Sequence, residues 1–185
     1  TVDADTDAVY GQEVTLTATV EGDGASVATV TWTAEDDTGE FSALEGLSTV
    51  WRAPSASGPV EITASISGEN LSDTVTIGVT LCNDGATDNA SDPCIITNVH
   101  QLQAMNEDLS GHFRLGSDID ASQTEQWNSG AGFAPIGTGF TGSLDGGGFA
   151  IRNLHIHRPA SRGVALFSLI SPSGRVTNLK LEEAV

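Results

Sequence analysis

The amino-acid sequence predicts an all-β protein with two modules: a sandwich of antiparallel strands over residues 1–81, and a short stack of parallel β-coils over residues 95–185. Three observations lead to this prediction. Apolar and polar residues alternate with a period of two in the first part, which is typical of half-buried antiparallel strands. The second part contains an internal repeat. Both cysteines of the chain lie in the segment 82–94 that separates the two modules.

The alternation in the first module is clearest in four stretches that are separated by turn residues rich in glycine, aspartate, asparagine and proline. In each stretch, apolar residues hold every second position and mostly threonine and serine lie between them: 14–20, 30–34, 60–66 and 75–81. Short strands at this spacing indicate a β-sandwich. Trp32 is predicted to be a core residue, whereas the direction of Trp51 depends on where its short strand begins.

Several short motifs of the first module occur together in a known family: 10–18 (YGQEVTLTA), 30–32 (VTW), 50–54 (VWRAP) and 58–64 (GPVEITA). With these motifs the module resembles the immunoglobulin-like modules of bacterial surface proteins. The resemblance implies an Ig-like antiparallel β-sandwich with Trp32 as the core tryptophan of its third strand. The cysteine pair that joins the two sheets of antibody domains has no counterpart within residues 1–81.

The linker 82–94 begins with Cys82 and ends with Cys94. In an acidic chain that we expect to be secreted, this pair predicts one disulfide, which contributes roughly 2–3 kcal/mol in the chain-entropy treatment of loop closure. The loop also carries Asp84, Asp88 and Asp92, whose carboxylates suit Ca²⁺, although their spacing differs from that of an EF-hand loop. Two interpretations stay open: a disulfide-pinned joint, which we favour, and a calcium site.

The second module begins with the one helix that the sequence predicts. Apolar residues at positions 99, 102 and 105 have helical spacing, and Thr97 or Asn98 is placed to cap the helix. Further on, residues 150–157 (AIRNLHIH) align with residues 175–182 (RVTNLKLE) at an offset of 25 residues. A repeat of this length is typical of one coil of a β-solenoid, whose coils stack because none can bury its apolar face alone.

The 25-residue offset predicts which residues are neighbours in the stack. Asn153 and Asn178 fall on equivalent corners, where stacked asparagines hydrogen-bond along the axis, so they are predicted to form a structural ladder. Glu182 falls beside His157, about one strand spacing away, and is predicted to form a surface pair with it. Zinc binding by His155 and His157 is the alternative, but it requires a third ligand.

The second module also carries a series of motifs in order: 92–97 (DPCIIT), 115–120 (LGSDID), 133–137 (FAPIG), 140–148 (FTGSLDGGG), 151–156 (IRNLHI) and 164–167 (VALF). These motifs resemble the β-helix of bacterial surface adhesins with GLUG repeats, of the filamentous-haemagglutinin-like type, except that Ala165 stands where the family usually has glycine. The resemblance covers nearly all of residues 92–182. It implies a right-handed parallel β-helix of about three coils that is entered through a short capping helix, with further coils or a partner beyond Val185.

Asp118 and Asp120 come nearest to a catalytic pattern. They are two residues apart and therefore share a strand face, and paired carboxylates cleave glycosidic bonds in some enzymes. Both aspartates belong to the LGSDID motif, so we expect a structural role for them. The sequence shows no arrangement of the Ser–His–Asp, Cys–His or phosphate-loop type, and we expect the chain not to be an enzyme.

The charge of the chain is strongly negative, at −18, and uneven. Residues 1–81 hold 14 acidic residues and one basic residue, while residues 82–185 hold 11 acidic and six basic residues. A chain this acidic lacks the clustered lysine and arginine that a nucleic-acid or membrane-surface protein needs. We therefore expect neither nucleic-acid binding nor membrane insertion.

Together these features predict an extracellular or cell-surface protein, an adhesin or stalk segment that presents or spaces binding surfaces for a glycan or protein of a host or neighbouring cell. One alternative is a filament or sheath subunit that assembles with further copies of itself head to tail, because open β-helix ends template strand addition. Another is the stalk of a surface protease or a carbohydrate-active β-helix. Residues 70–72 (NLS) and 89–91 (NAS) fit the N-glycosylation pattern, but the resemblance to bacterial proteins argues against their use.

Overall fold

The computed structural model describes residues 1–22, 29–35, 38–82, 89–161 and 164–185. The protein is all-β with a few short helical segments, and it divides into two compact units, Thr1–Leu81 and Cys82–Val185. Within the described ranges, none of the helices is long and apolar enough to cross a membrane. Strands pair mostly antiparallel in the first unit and in parallel in the second.

The strands of the first unit are Val2–Asp3 (β1), Asp7–Val9 (β2), Glu13–Ala18 (β3), Val30–Ala34 (β4), Glu40–Phe41 (β5), Ser48–Arg52 (β6), Gly58–Ile66 (β7) and Ser72–Thr80 (β8). In the part of the unit that the structure describes, they form two sheets with the orders β1-β3-β6-β5 and β2-β8-β7-β4. The β2–β8 pair is parallel and the other pairs are antiparallel. The long hairpin of β7 and β8 provides the most extensive pairing.

The alternation in the sequence places one face of each strand in the core of the first unit. Buried and exposed residues alternate along β3 without exception. Trp32 and Trp51 are fully buried, and each indole N–H donates to a backbone oxygen, that of Gly46 at 2.8 Å and that of Thr38 at 3.0 Å respectively. Trp32 is therefore a core residue, as predicted, and Trp51 is a second one.

The second unit contains more and shorter elements. They are Cys94–Ile96 (β9), Val99–Ala104 (α1), a 3₁₀ turn at Met105–Glu107, His112–Leu115 (β10), Ile119–Asp120 (β11), an interrupted 3₁₀ segment at Ser122–Gly130, Ile136–Phe140 (β12), Ser143–Asp145 (β13), Ala150–Arg152 (β14), Phe167–Ile170 (β15), Arg175–Thr177 (β16) and Lys180–Glu182 (β17). Each of these strands is two to five residues long.

The helix predicted at the start of the second module is α1, and Asn98 is its N-cap. The Asn98 backbone is extended, and its side-chain oxygen accepts a hydrogen bond from the backbone N–H of Gln101 at 2.9 Å. The fully buried Gln101 side chain in turn accepts hydrogen bonds from the backbone N–H and the hydroxyl of Thr97, at 2.9 and 3.0 Å. Two polar side chains thus fix the first turn of the helix.

The strands of the second unit stack in parallel, so that the chain forms successive layers. β9, β10, β13 and β16 make one stack, β11, β14 and β17 a second, and β12 and β15 a third. The first layer runs from β10 to β12, the second from β13 to β15, and the third holds β16 and β17. Partners in adjacent layers are 31 residues apart at His112 and Ser143, and 30 residues apart at Arg152 and Glu182.

The repeat of 25 residues expected from the sequence is therefore wrong. It aligned residues 150–157 with residues 175–182, but the first segment contains β14 and the second begins with β16, which belong to different stacks. The two segments look alike because each has a short strand that ends at an asparagine with positive φ, Asn153 at 57° and Asn178 at 52°. The similarity therefore reflects a left-handed backbone conformation that both corners share. Asparagine tolerates this conformation better than most residues do.

The first-layer end of the stack is covered by the segment around α1. The Gln103 side chain accepts from the backbone N–H of Ala134 at 2.7 Å and donates to its oxygen at 2.8 Å. The Asn106 side chain accepts from the backbone N–H of Gly137 at 2.7 Å, on the side of β12 that does not pair with β15. Side chains therefore satisfy polar backbone groups along this edge, where another strand would otherwise add.

Candidate functional site

The disulfide predicted between Cys82 and Cys94 is present, and the Cα atoms of the two residues lie 5.2 Å apart. Cys94 is fully buried and belongs to β9, so the bond ties the start of the second unit to its first stack. Asp84 and Asp88 of the candidate calcium site lie outside the described residues. Asp92 is exposed, and its backbone N–H donates to the Asn89 side-chain oxygen at 3.1 Å.

Asp118 serves as a hydrogen-bond acceptor between layers. One carboxylate oxygen accepts from the backbone N–H of Ala150 at 2.9 Å, and the other accepts from the Arg152 guanidinium at 2.6 Å. These two donors, the backbone N–H first, hold the pKa of Asp118 below its ordinary value of 3.8. The carboxylate is therefore kept ionised and oriented by the adjacent layer.

Asp120 has a similar arrangement at the next corner. It accepts from the backbone N–H of Ser122 at 3.0 Å and from the Asn153 side chain at 3.1 Å, and both bonds lower its pKa. Asp118 and Asp120 thus both accept hydrogen bonds from side chains of the second layer. Within the described parts of the chain, no group of three or more histidine, cysteine, aspartate or glutamate side chains is placed to hold a metal ion.

The predicted ladder of Asn153 and Asn178 does not form, because the two residues lie at different corners. Asn153 follows β14 and donates to Asp120, while Asn178 follows β16 and donates to Asp145 at 2.9 Å. At each corner an asparagine of one layer therefore meets an aspartate of the layer before it. The backbone N–H of Gly147, followed by the Asn178 amide, lowers the pKa of Asp145 in the same way.

The predicted pair of His157 and Glu182 is also wrong, since it depended on the 25-residue register. Glu182 lies opposite Arg152 and accepts from its guanidinium at 2.8 Å. The His157 backbone N–H donates to the backbone oxygen of Ala131 at 3.0 Å. The His157 ring centroid lies 6.3 Å from that of His155.

Arg152 is the residue that the sequence analysis did not single out. It bridges Asp118 of the first layer and Glu182 of the third, and both carboxylates raise its pKa. A signal for it exists in the sequence, because each strand of this stack ends with an apolar residue followed by a charged one: Ile119-Asp120, Ile151-Arg152 and Leu181-Glu182. The sign of the charge alternates from layer to layer.

The third layer exposes apolar surface that the layers before it bury. Ile119 and Ile151 are 1% and 0% exposed, whereas Leu181, which occupies the same position of the third layer, is 48% exposed. Leu169 and Ile170 of β15 are also exposed. We call these three exposed side chains, Leu181 of the third layer and Leu169 and Ile170 of the second, the apolar edge.

No protein-family model matches the chain. Part of the chain is similar to Halomucin of Haloquadratum walsbyi (strain DSM 16790 / HBSQ001), with 40% identity over 108 residues. The match covers 51% of this chain and 1% of Halomucin, so the chain corresponds to a very small part of that protein.

Proposed function

We propose that the chain is an extracellular, non-enzymatic segment of a cell-surface adhesin or stalk, which presents or spaces binding surfaces. Its partner would be a glycan or protein on the surface of a host or neighbouring cell. The similarity to Halomucin carries this proposal, because the name describes a mucin and mucins are secreted or cell-surface proteins. The disulfide between Cys82 and Cys94 supports the same location, since disulfides persist in oxidising surroundings.

The proposed architecture suits such a role. We propose that the first unit is an Ig-like sandwich and the second a right-handed parallel β-helix of the GLUG-repeat type. Two sheets that bury Trp32 and Trp51 support the first assignment, and the stacking of parallel strands with one layer every 30 to 32 residues supports the second. Stacked solenoid layers create an extended surface, which suits the presentation of a binding site.

The non-enzymatic part of the proposal rests on what the candidate carboxylates do. Asp118 and Asp120 accept hydrogen bonds from the neighbouring backbone and from Arg152 and Asn153, and these bonds lower their pKa values. A general acid needs the opposite shift. We expect the purified chain to leave a panel of polysaccharides uncleaved. Cleavage that an Asp118→Asn or Asp120→Asn variant loses would contradict this expectation.

The proposed location can be tested with an antibody raised against the purified chain. Intact producing cells, their medium and a lysate are probed in parallel, with and without protease added outside the cells. We expect signal in the medium or on intact cells, and loss of the cell-surface signal after protease treatment. Signal confined to the lysate would contradict the proposal, and a cytoplasmic protein of the same cells serves as the leakage control.

The apolar edge favours a second candidate function, assembly of copies of the chain. Because Gln103 and Asn106 occupy the first-layer edge, copies would meet through their third layers, where Leu181 is exposed, and not head to tail. Light scattering over a range of concentrations tests this candidate. An oligomer that Leu181→Glu dissociates would support it, with Leu47→Glu as the matched control, because Leu47 of the first unit is 51% exposed and Leu181 is 48% exposed. A concentration-independent monomer would contradict it.

A further inference from the structure

The segment Asn89-Ala90-Ser91 forms an exposed turn just before β9. The side-chain oxygen Oδ1 of Asn89 accepts three hydrogen bonds: from the backbone N–H of Ser91 at 2.9 Å, from the backbone N–H of Asp92 at 3.1 Å, and from the Ser91 hydroxyl at 2.6 Å. A turn organised by an asparagine side chain in this way is common in loops. In this turn the Ser91 hydroxyl adds a third donor to Oδ1, as the Ser110 hydroxyl adds a donor to the Asp108 carboxylate.

The Ser91 hydroxyl has a chemical consequence for the Asn89 amide. An O–H group that donates to Oδ1 stabilises the form of the amide in which the oxygen carries negative charge, which is the form that Nδ2 reaches when it gives up a proton and acts as a nucleophile. The acceptor pattern Asn-x-Ser/Thr places a hydroxyl at this position. All three hydrogen bonds use Oδ1, so a substituent on Nδ2 leaves them in place.

We propose that Asn89 is an N-glycosylation site that accepts an oligosaccharide from a lipid-linked diphosphate donor. Nδ2 attacks the anomeric carbon of the sugar, the bond from that carbon to the diphosphate oxygen breaks, and the new carbon–nitrogen bond forms. The lipid diphosphate leaves with the electron pair, and the proton of Nδ2 passes to a base of the transferase that brings the donor. The inference rests on the proposed extracellular location, because acceptor sites of this kind belong to exported chains.

The resemblance of the second module to bacterial adhesins argues against use of the Asn-x-Ser pattern as a glycosylation site. Part of the chain is similar to a protein whose name describes a mucin, and this similarity favours an exported chain. The disulfide between Cys82 and Cys94 closes the loop in which Asn89 lies, so the turn is attached to a fixed base at β9. An acceptor asparagine in such a loop is exposed without disturbing a strand.

The pattern at Asn70-Leu71-Ser72 provides an internal comparison. It is also exposed, at the hairpin between β7 and β8, but Ser72 is the first residue of β8 and its backbone pairs with Ser65. Among the hydrogen bonds of the described residues, none joins the Ser72 hydroxyl to Asn70. If the turn geometry selects the acceptor, the glycan is found at Asn89 more than at Asn70.

The full chain and its variants are expressed in the producing organism, and medium, cell surface and lysate are analysed separately by intact-mass and peptide mass spectrometry. We expect a mass above 19.1 kDa for the exported chain, with the addition on the peptide that contains Asn89. Asn89→Gln and Ser91→Ala should both lose the addition, while Ser91→Thr should keep it. Ser72→Ala is the matched control and should leave the occupancy of Asn89 unchanged.

The outcomes separate this inference from the proposed location. An exported chain that is unmodified at Asn89, or whose occupancy at Asn70 equals or exceeds that at Asn89, overturns the inference and leaves the location standing. A chain found only in the lysate overturns the proposed location first. Retention of the glycan in Ser91→Ala would also overturn the role assigned to the hydroxyl.

Discussion

The two units of this protein are both built from β-strands, yet different groups hold them together. In the first unit, antiparallel neighbours bury large side chains such as Trp32, and the exposed faces carry threonine and acidic residues. In the second unit, parallel layers share an apolar interior, and the corners are joined by short polar contacts such as that of Asn153 with Asp120.

This difference shows how the pairing of strands changes what the side chains must do. Antiparallel hairpins connect through tight turns, so the register is set locally and the core side chains decide stability. Parallel layers have no hairpin to fix their register, and a shift by one residue would turn the apolar face outwards. The hydrogen bonds of Asp118, Asp120 and Asp145 with the next layer help to fix the register between parallel strands.

The largest effect is expected for Trp32→Ala, because this change leaves a cavity where a fully buried tryptophan packs in the core of the first unit. We expect the first unit to lose about 3–5 kcal/mol of its free energy of unfolding. Urea unfolding followed by limited proteolysis should show cleavage within residues 1–81 at lower urea, with the second unit still protected. Equal loss of protection in both units would show that they do not unfold separately.

Alanine substitutions at the equivalent position of two layers test whether burial between layers stabilises the stack. Ile151→Ala should cost about 2–5 kcal/mol because Ile151 is fully buried between layers. Leu181→Ala should cost less than about 1 kcal/mol because its side chain is half exposed already. Thermal unfolding of the two variants measures the difference. Similar losses for both would mean that the third layer is covered in solution.

Cys82→Ser together with Cys94→Ser removes the disulfide and should lower the free energy of unfolding of the second unit by about 3 kcal/mol. This is the loop-closure term expected for two cysteines with a separation of 12 residues. The first unit should be unaffected. Reduction of the unmodified chain with a thiol provides the control, since it should shift the same unfolding transition and have no effect on the double variant.

The smallest expected effect is on the stability of the second unit at acidic pH. The pKa of Asp120 is lowered in the folded chain, so its contribution is complete above the ordinary value of 3.8 and is lost as the pH falls through the lowered value. The unmodified chain should therefore lose more stability below pH 3.8 than Asp120→Asn does. Melting temperatures of both proteins across this range measure the effect, and the transition of the first unit serves as the internal reference.

Some features could be predicted from the sequence because their cause is local. The alternation along β3, the burial of Trp32 and the capping of α1 by Asn98 each depend on a few consecutive residues. The disulfide required only that two cysteines occur in a chain expected to be secreted. The coarse all-β character follows from the same local patterns.

The register between layers could not be predicted in this way, because it depends on residues about 30 positions apart. The similarity of the segments around Asn153 and Asn178 arises from the corner conformation and not from position in the repeat, and it led to the wrong neighbours for His157 and Glu182. The positions that do correspond, Ile119, Ile151 and Leu181, share only an apolar side chain.

The alternating charges of Asp120, Arg152 and Glu182 have a consequence for aggregation. Stacks of identical residues template their own extension, as in fibrils, because every layer offers the next one the same partner. Among the described residues the series runs from Asp120 through Arg152 to Glu182, and a second copy that placed its first layer on β17 in the same register would bring Asp120 against Glu182, acid against acid. This like-charge contact disfavours self-stacking in that register, whereas a basic group at the same position would continue the alternation.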